Sequence, residues 1–410
     1  MTASVFRNIR YAQAERFGAA NLVPFQEAVP DAARGPVAPQ PRSRLDTVLG
    51  PPKRLEQSED CQVLSVFTPS TNGNHPVMMW FHGGASITGG GELPWYDGGH
   101  LADEQGVVVV TVTSRLGALG HASTDEHGQS PATSDQLAAI EWVHRHIGEF
   151  GGDPRNITLF GQSAGAYAIE VVLRWGVGPH VTGAILQSGF LSQPGLRRTA
   201  DKVNRQSAEF ARLLTCHPDD ASVAEILHAQ AAMATRAGNE ELWAPAHPER
   251  PAPIDIPLIA GSTLDDSLPF FLLDHAESGP TTEEIDGLRG LVESTNQTQV
   301  IAGNNEVLRE ASLRGHDCWS YLWTGFPSGS PWRASHCVEL PFLLGSAGAW
   351  KSAPVLGNMH WRDVVRAGTE ARSAWASFAR THDPGPTWSK YVLDADEIDT
   401  PNRIGRISHL

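Results

Sequence analysis

The fold turns on "NITLFGQSAGAYAIEVV", residues 156–172. "NITLFG" (156–161) has the β-branched and aromatic texture of a strand, and "AGAYAIEVVLRW" (164–175) predicts a helix. Between them Ser163 is flanked by Gly161 and Gly165, giving G-x-S-x-G. In that pattern the serine occupies a strained strand-to-helix turn. Side chains at the flanking glycines would clash with the neighbouring backbone, and the turn pushes the serine Oγ into the open above a sheet. The N–H of Ala164 and the start of the helix then face any negative charge that develops there. A tight turn that only happens to contain a serine is the other reading, and the surrounding chain decides between them.

Outward from this turn the chain alternates. Strands are predicted at "CQVLSVFTP" (61–69), "PVMMWFH" (76–82), "GVVVVTVTS" (106–114), "VTGAILQSG" (181–189), "DIPLIAGS" (255–262) and "CWSYLWTGF" (318–326). Helices are predicted at "SDQLAAIEWVHRHIGEFGG" (134–152), capped by Ser134 with Leu137, Ile140, Val143 and Ile147 on one face, and at 361–382. Strands alternating with helices imply an α/β fold, a mostly parallel central sheet with helices on both faces. Residues 1–60, rich in Pro, Ala and Arg, are expected to form a partly irregular wrap. The chain 1–410 reads as a single domain, with segments 190–255 and 267–315 as inserts that supply a helical cap.

The bulk numbers exclude several classes. With 40% apolar and 19% charged residues the 410-residue chain is globular, and its net charge of −15 is spread along it. No cluster of Lys and Arg invites a nucleic acid or an anionic membrane. No apolar run approaches the roughly 18 residues that span a bilayer, and the start has no apolar signal core, so a cytoplasmic protein is expected. The four cysteines, Cys61, Cys216, Cys318 and Cys337, lie far apart with no C-x-x-C, and no H-E-x-x-H is present, so neither metal nor cofactor is expected. "TGGGEL" (88–93) lacks the Lys-Ser/Thr of a phosphate loop. The sequence says nothing about oligomeric state.

An acyl-transfer serine needs oxyanion donors, a base and a group that orients the base. "MMWFHGGAS" places His82, Gly83 and Gly84 directly after a strand, the arrangement of a loop that offers backbone N–H groups to an oxyanion. With "SEDCQVLSVFTP", "VVVVTVTSRLGALGHAS", "SDQLAAIEWVHRHIGEFGGDPRNITLFGQSAG", "GAILQSG", "SHCVELPF" and "WASFARTHDPG", these runs resemble the type-B carboxylesterases, the family that includes the cholinesterases, in family order over about residues 58 to 385. The resemblance implies an α/β-hydrolase fold, with a cap reduced by the short inserts and catalytic groups in the order Ser, acid, His.

The resemblance also points to the remaining groups. "IPLIAGSTLDDS" is similar to the family's G-T-x-x-D-E-G, with Asp266 at the glutamate position and Asp265 as the alternative acid. "WRASHCVELPF" is similar to A-x-H-x-x-E-L-P-F, which singles out His336 among seventeen histidines and puts Glu339 near it. Gly83, Gly84 and Ala164 would form the oxyanion hole. His82 would brace it, Ser188 would bond near the acid, and Arg115 would pair with Asp153. Loss of activity is expected as pH falls through about 6 to 7.

Departures from the family pattern are Gln162 for a common glutamate, Ser114 for a tyrosine, Ala168 for a serine, and Cys61 without the disulfide partner of secreted members. Ile87, Trp95, Tyr96 and Phe190 adjoin the motifs and are candidates for the pocket wall. The implied function is a serine carboxylesterase acting on small, largely apolar esters. The alternatives are the same site used for acyl transfer, lactone, carbamate or amide chemistry, and a non-catalytic cholinesterase-like binding module.

Overall fold

The computed structural model describes residues 3–123, 125, 127–191, 198–237, 243–273, 279–392 and 401–405. The strands of the central sheet are β1 (Ser4–Arg10), β2 (Val63–Thr68), β3 (His75–Phe81), β4 (Val108–Val112), β5 (Gly152–Gln162), β6 (Val181–Gln187), β7 (Leu258–Thr263), β8 (Cys318–Trp323) and β9 (Asn402–Ile404). Their spatial order is β1-β2-β4-β3-β5-β6-β7-β8-β9. The β1–β2 and β2–β4 pairs are antiparallel, and every later pair is parallel.

The helices used below are α1 (Pro131–His146), α2 (Ala164–Trp175), α3 (Ala200–Ala211), α4 (Val223–Ala237), α5 (Leu268–Phe271), α6 (Thr282–Thr295), α7 (Ala302–Leu313) and α8 (Trp361–Thr381). No helix among the described residues is long and apolar enough to cross a membrane.

Alternation along each strand sends successive side chains into two separate apolar layers. On β3, Met78 and Trp80 enter the layer that also holds Trp375 and Phe378 of α8. Val77, Met79 and Phe81 enter the layer shared with Ile140 and Val143 of α1, Ile169 and Val172 of α2, and Val307 and Leu308 of α7. Both faces of the strands are therefore buried, which is why their sequences read as near-continuous apolar runs.

Three expectations change. Within the partly irregular wrap expected over residues 1–60, residues 4–10 form an antiparallel edge strand on β2 that no prediction placed there. The helix expected at 134 begins at Pro131, where proline suits the first turn because its missing N–H has no partner there anyway. Ser134 lies inside that helix, and its Oγ accepts a bond from the Ala20 N–H. The insert 267–315 divides. Leu308 and Ala311 of α7 belong to the sheet's apolar layer, so this helix covers the sheet and does not cap it. In the insert 190–255, Phe210 of α3 and Ile226, Ala229 and Met233 of α4 pack on Ala118 and Leu119, and the Ala118 N–H bonds Gln230 at 2.8 Å. Residues 192–197, 238–242 and 274–278 of the two inserts lie outside the described residues.

The expected Arg115–Asp153 pair is also corrected. Arg115 grips Asp135 of α1, with Nε to Oδ2 at 2.9 Å and NH2 to Oδ1 at 2.7 Å, and its own backbone N–H reaches the same carboxylate at 2.9 Å. Asp153 bonds Asn74 at the surface instead. Both members of the buried pair are shut off from water. Replacing Asp135 by alanine leaves a buried guanidinium without its anion, a loss expected to cost about 3–5 kcal/mol. A urea midpoint unchanged by Asp135→Ala would contradict that.

Candidate active site

Ser163 sits where β5 ends and α2 begins, with φ 58° and ψ −126°. That left-handed conformation is costly for a non-glycine residue and persists only where its surroundings enforce it. The Ser163 N–H is held by the Gln187 carbonyl of β6 at 2.8 Å. A Cβ added at Gly165 would stand 2.0 Å from the Phe81 carbonyl oxygen at the end of β3, and one at Gly161 would stand 2.7 Å from the same atom. The flanking glycines are thus required by the adjacent strand, as the motif demands.

The loop after β3 runs against this turn. A Cβ at Gly83 would meet the Gln162 carbonyl at 2.9 Å and the Ser163 Cβ at 3.1 Å. Gly84, Ala85 and Ser86 all have positive φ, at 118°, 54° and 56°, so the loop is bent through three consecutive left-handed residues. Its bend is held by the Ile87 and Thr88 N–H groups, each 3.0 Å from the Gly84 carbonyl. The N–H groups of Gly84 and Ala164 have no acceptor among the described residues. His82 lies under the loop, with Nδ1 2.8 Å from the Gly83 carbonyl and its ring against Tyr96. Burial lowers its pKa, which keeps it neutral.

Asp266 and His336 meet across two loops that are stitched together. The Asp265 N–H bonds the Ala334 carbonyl at 2.8 Å, and the His336 N–H bonds the Asp266 carbonyl at 3.3 Å. Asp266 Oδ1 lies 2.5 Å from His336 Nδ1, while Oδ2 accepts the Ser188 hydroxyl at 2.5 Å and the Thr263 N–H at 3.0 Å. Asp265 turns the other way, accepting the Ala334 N–H at 3.1 Å.

Burial alone would raise the Asp266 pKa, but the His336 charge and the bonds from His336, Ser188 and Thr263 outweigh it, so the carboxyl is held below its ordinary value. For His336, burial works downward; the Cys337 sulfur would raise it only as a thiolate, and near pH 7 it is the Asp266 carboxylate, by its charge and its hydrogen bond, that lifts the imidazole above its ordinary value. Burial pushes the Cys337 thiol up, so it is neutral near pH 7, and the negative charge against His336 is that of Asp266.

His336 Nε2 does not bond the Ser163 hydroxyl. It lies 3.1 Å from the side-chain nitrogen of Gln162, the residue before the serine. The Cys337 thiol donates to the Gln162 oxygen at 3.3 Å. Glu339 is buried, with one oxygen 3.4 Å from the Gln187 amide and the other without a partner, and burial pushes its pKa up to about 7.

The candidate pocket residues divide. Phe190 packs edge-on against Phe270, whose ring lies 5.1 Å from the His336 ring. Ile87 follows the oxyanion loop and packs on the α3–α4 cluster. Trp95 does not line the site: it stacks on Trp350 at 5.4 Å within the core. Tyr96 is also a core residue, lying between Trp80 and His82. A cavity lined by His82, Ser86, Ser114, Arg115, Ala164 and Ala168 borders the loop after β3, and His336 is not among its lining residues.

No motif or spacing pointed to Phe270 or to the Thr263 N–H. Cys337 was legible only as the neighbour of His336. Cys61 is buried and its thiol is free.

This constellation can be compared with known proteins. A carboxylesterase family description matches residues 2–243. A probable N-octanoylanthranilate hydrolase of Rhodococcus erythropolis is 33% identical, covering 94% of this chain and 91% of the relative. The para-nitrobenzyl esterase of Bacillus subtilis (strain 168) is 30% identical, covering 93% and 87%. A solved PNB esterase superposes with a TM-score of 0.79 at 28% identity, covering 94% of this chain and 89% of that one. The chain therefore belongs to the carboxylesterase family, with its α/β-hydrolase fold, and is a carboxylic ester hydrolase.

Proposed function

We propose that this enzyme is a serine esterase for small, largely apolar carboxylic esters, working through an acyl-enzyme on Ser163. The observation that carries the reading is the Asp266–His336 contact at 2.5 Å, set beside a serine strained to φ 58° at the strand–helix turn. Asp266 fixes the Nδ1–H tautomer, leaving the Nε2 lone pair to take the Ser163 proton as Oγ attacks the ester carbonyl. The Gly83, Gly84 and Ala164 N–H groups stabilise the oxyanion at the helix N-terminus. His336 then protonates the leaving alcohol, and a water activated by the same imidazole releases the acid. Phe190, Phe270 and Ile87 provide apolar surface for the acyl and alcohol groups.

A second reading, in which the same groups cleave an N-acyl bond, is favoured by one relative, whose name gives N-octanoylanthranilate as its substrate. Turnover of p-nitrophenyl acetate and butyrate, set beside an N-acyl anilide, tests the two. Faster ester turnover is expected, and anilide turnover without ester turnover would overturn the first reading.

The pH dependence follows from the charge at His336. The base must be neutral to accept a proton, and Asp266 favours its protonated form. The catalytic form is therefore lost as pH falls through a value above the ordinary imidazole value of 6.5. The acid limb of kcat/KM is expected to have its midpoint above pH 6.5. A limb at or below that value would contradict the contact.

A further inference from the structure

We propose that Gln162 is a positioning residue for the base: its side-chain amide ties His336 Nε2 to the Cys337 thiol and the oxyanion loop, and keeps the serine-facing flank of the imidazole uncharged. This rests on the Ser163–His336–Asp266 reading.

The amide sits at a junction of three segments. Its nitrogen lies 3.1 Å from His336 Nε2, and its oxygen accepts from Cys337 Sγ at 3.3 Å. That same oxygen lies 2.9 Å from where a Cβ of Gly83 would stand, so it also touches the oxyanion loop. Gln162 is 1% exposed, which leaves it no competing bond to solvent. A primary amide is both donor and acceptor without carrying charge. It can therefore give an N–H to the Nε2 lone pair and accept a hydrogen bond from the thiol S–H at once. The arrangement holds the imidazole facing the turn, with Nδ1–H committed to Asp266.

The charge consequence depends on what else faces His336. Asp266, from the loop after β7, is the one carboxylate bonded to it among the described residues. Asp265 is turned to Ala334. Glu339, three residues further along the chain, is pushed by burial up to about 7, so near neutral pH it carries only part of its charge. The Cys337 thiol is neutral. From α5 the neighbour is the ring of Phe270; around the two carboxylates stand only uncharged groups, Gln187 at the end of β6 on Glu339, Ser188 just after it on Asp266, and on β8 the buried Tyr321, whose phenol burial keeps neutral. A glutamate at position 162, the residue common there in the family, would add a second negative charge directly at Nε2, offer its lone pair no donor and favour the imidazolium.

The test is the pH profile of kcat/KM for Gln162→Glu and Gln162→Met beside the wild type, with p-nitrophenyl butyrate as substrate. The glutamate variant is expected to move the acid limb to higher pH by about one pH unit or more, with kcat recovering on the alkaline side. The methionine variant, similar in shape and uncharged but without a donor, is expected to lower kcat about tenfold with KM unchanged, and to move the acid limb upward by less than the glutamate variant does. A merely structural role would change stability and move neither limb nor the kcat-to-KM split. Circular dichroism checks folding, and the methionine variant carries the test if the glutamate variant does not fold. An unmoved limb in Gln162→Glu, or wild-type kcat in Gln162→Met, would overturn the proposal. Labelling of wild-type Ser163 by a fluorophosphonate separates the two levels. If the wild type is labelled, such a result sinks only the role of Gln162, and if it is not labelled, the underlying triad fails.

Discussion

Replacing Ser163 by alanine is expected to lower ester turnover by about 10⁵- to 10⁶-fold while leaving the fold intact. The size of the loss follows from what remains. Without Oγ there is no acyl-enzyme, and His336 and Asp266 have no nucleophile to activate. The oxyanion donors and the apolar walls still bind and polarise an ester, which on their own give about 10³- to 10⁴-fold over water. The substitution is also structurally mild. The Ser163 N–H keeps its bond to the Gln187 carbonyl, and alanine meets the same backbone strain as serine at φ 58°. KM and thermal stability should therefore stay near their wild-type values. Turnover within tenfold of wild type would mean that the hydroxyl is not the nucleophile.

The second large effect separates two adjacent carboxylates. Asp266→Asn is expected to cut kcat by about 10⁴-fold, because an amide at that place permits the wrong imidazole tautomer and supplies no charge for the imidazolium. It should also move the residual acid limb downward, since the charge that raises His336 is gone. Asp265→Asn should retain kcat within about threefold. That side chain only accepts the Ala334 N–H at 3.1 Å, which an asparagine oxygen can still do. Equal losses in the two variants, or the larger loss at Asp265, would reverse the assignment of the acid.

The layers of the fold were legible because the central strands are buried on both faces, and their β-branched runs cannot be mistaken for loops. The edges were not. β1 has only two of seven residues buried, so its apolar pattern is thin and its strand character comes from pairing with β2. The start of α1 was misplaced by three residues because Ser134 resembles a cap, whereas Pro131 fixes the first turn. Arg115 was matched to the wrong aspartate because that pairing was carried over from the family resemblance, and only the packing of α1 beneath the loop selects Asp135.

At the site, the turn at Ser163 was legible from its flanking glycines together with the strand before it and the helix after it. Asp265 and Asp266 could not be ranked from composition or spacing, since they differ only in which way a stitched loop points each side chain. The Gln162–His336 contact joins residues 174 apart through side-chain conformations that no periodicity encodes. Trp95 and Tyr96 adjoin the motif loop in sequence, yet the chain turns them into the core against Trp350 and Trp80.

The central claim is that Ser163 is an activated nucleophile, and intact-mass labelling with a fluorophosphonate tests it most directly. One covalent adduct per wild-type chain, mapped to the peptide carrying Ser163 and absent from Ser163→Ala, is the expected result. A wild-type chain that stays unlabelled, or an adduct that persists in the alanine variant, would contradict it.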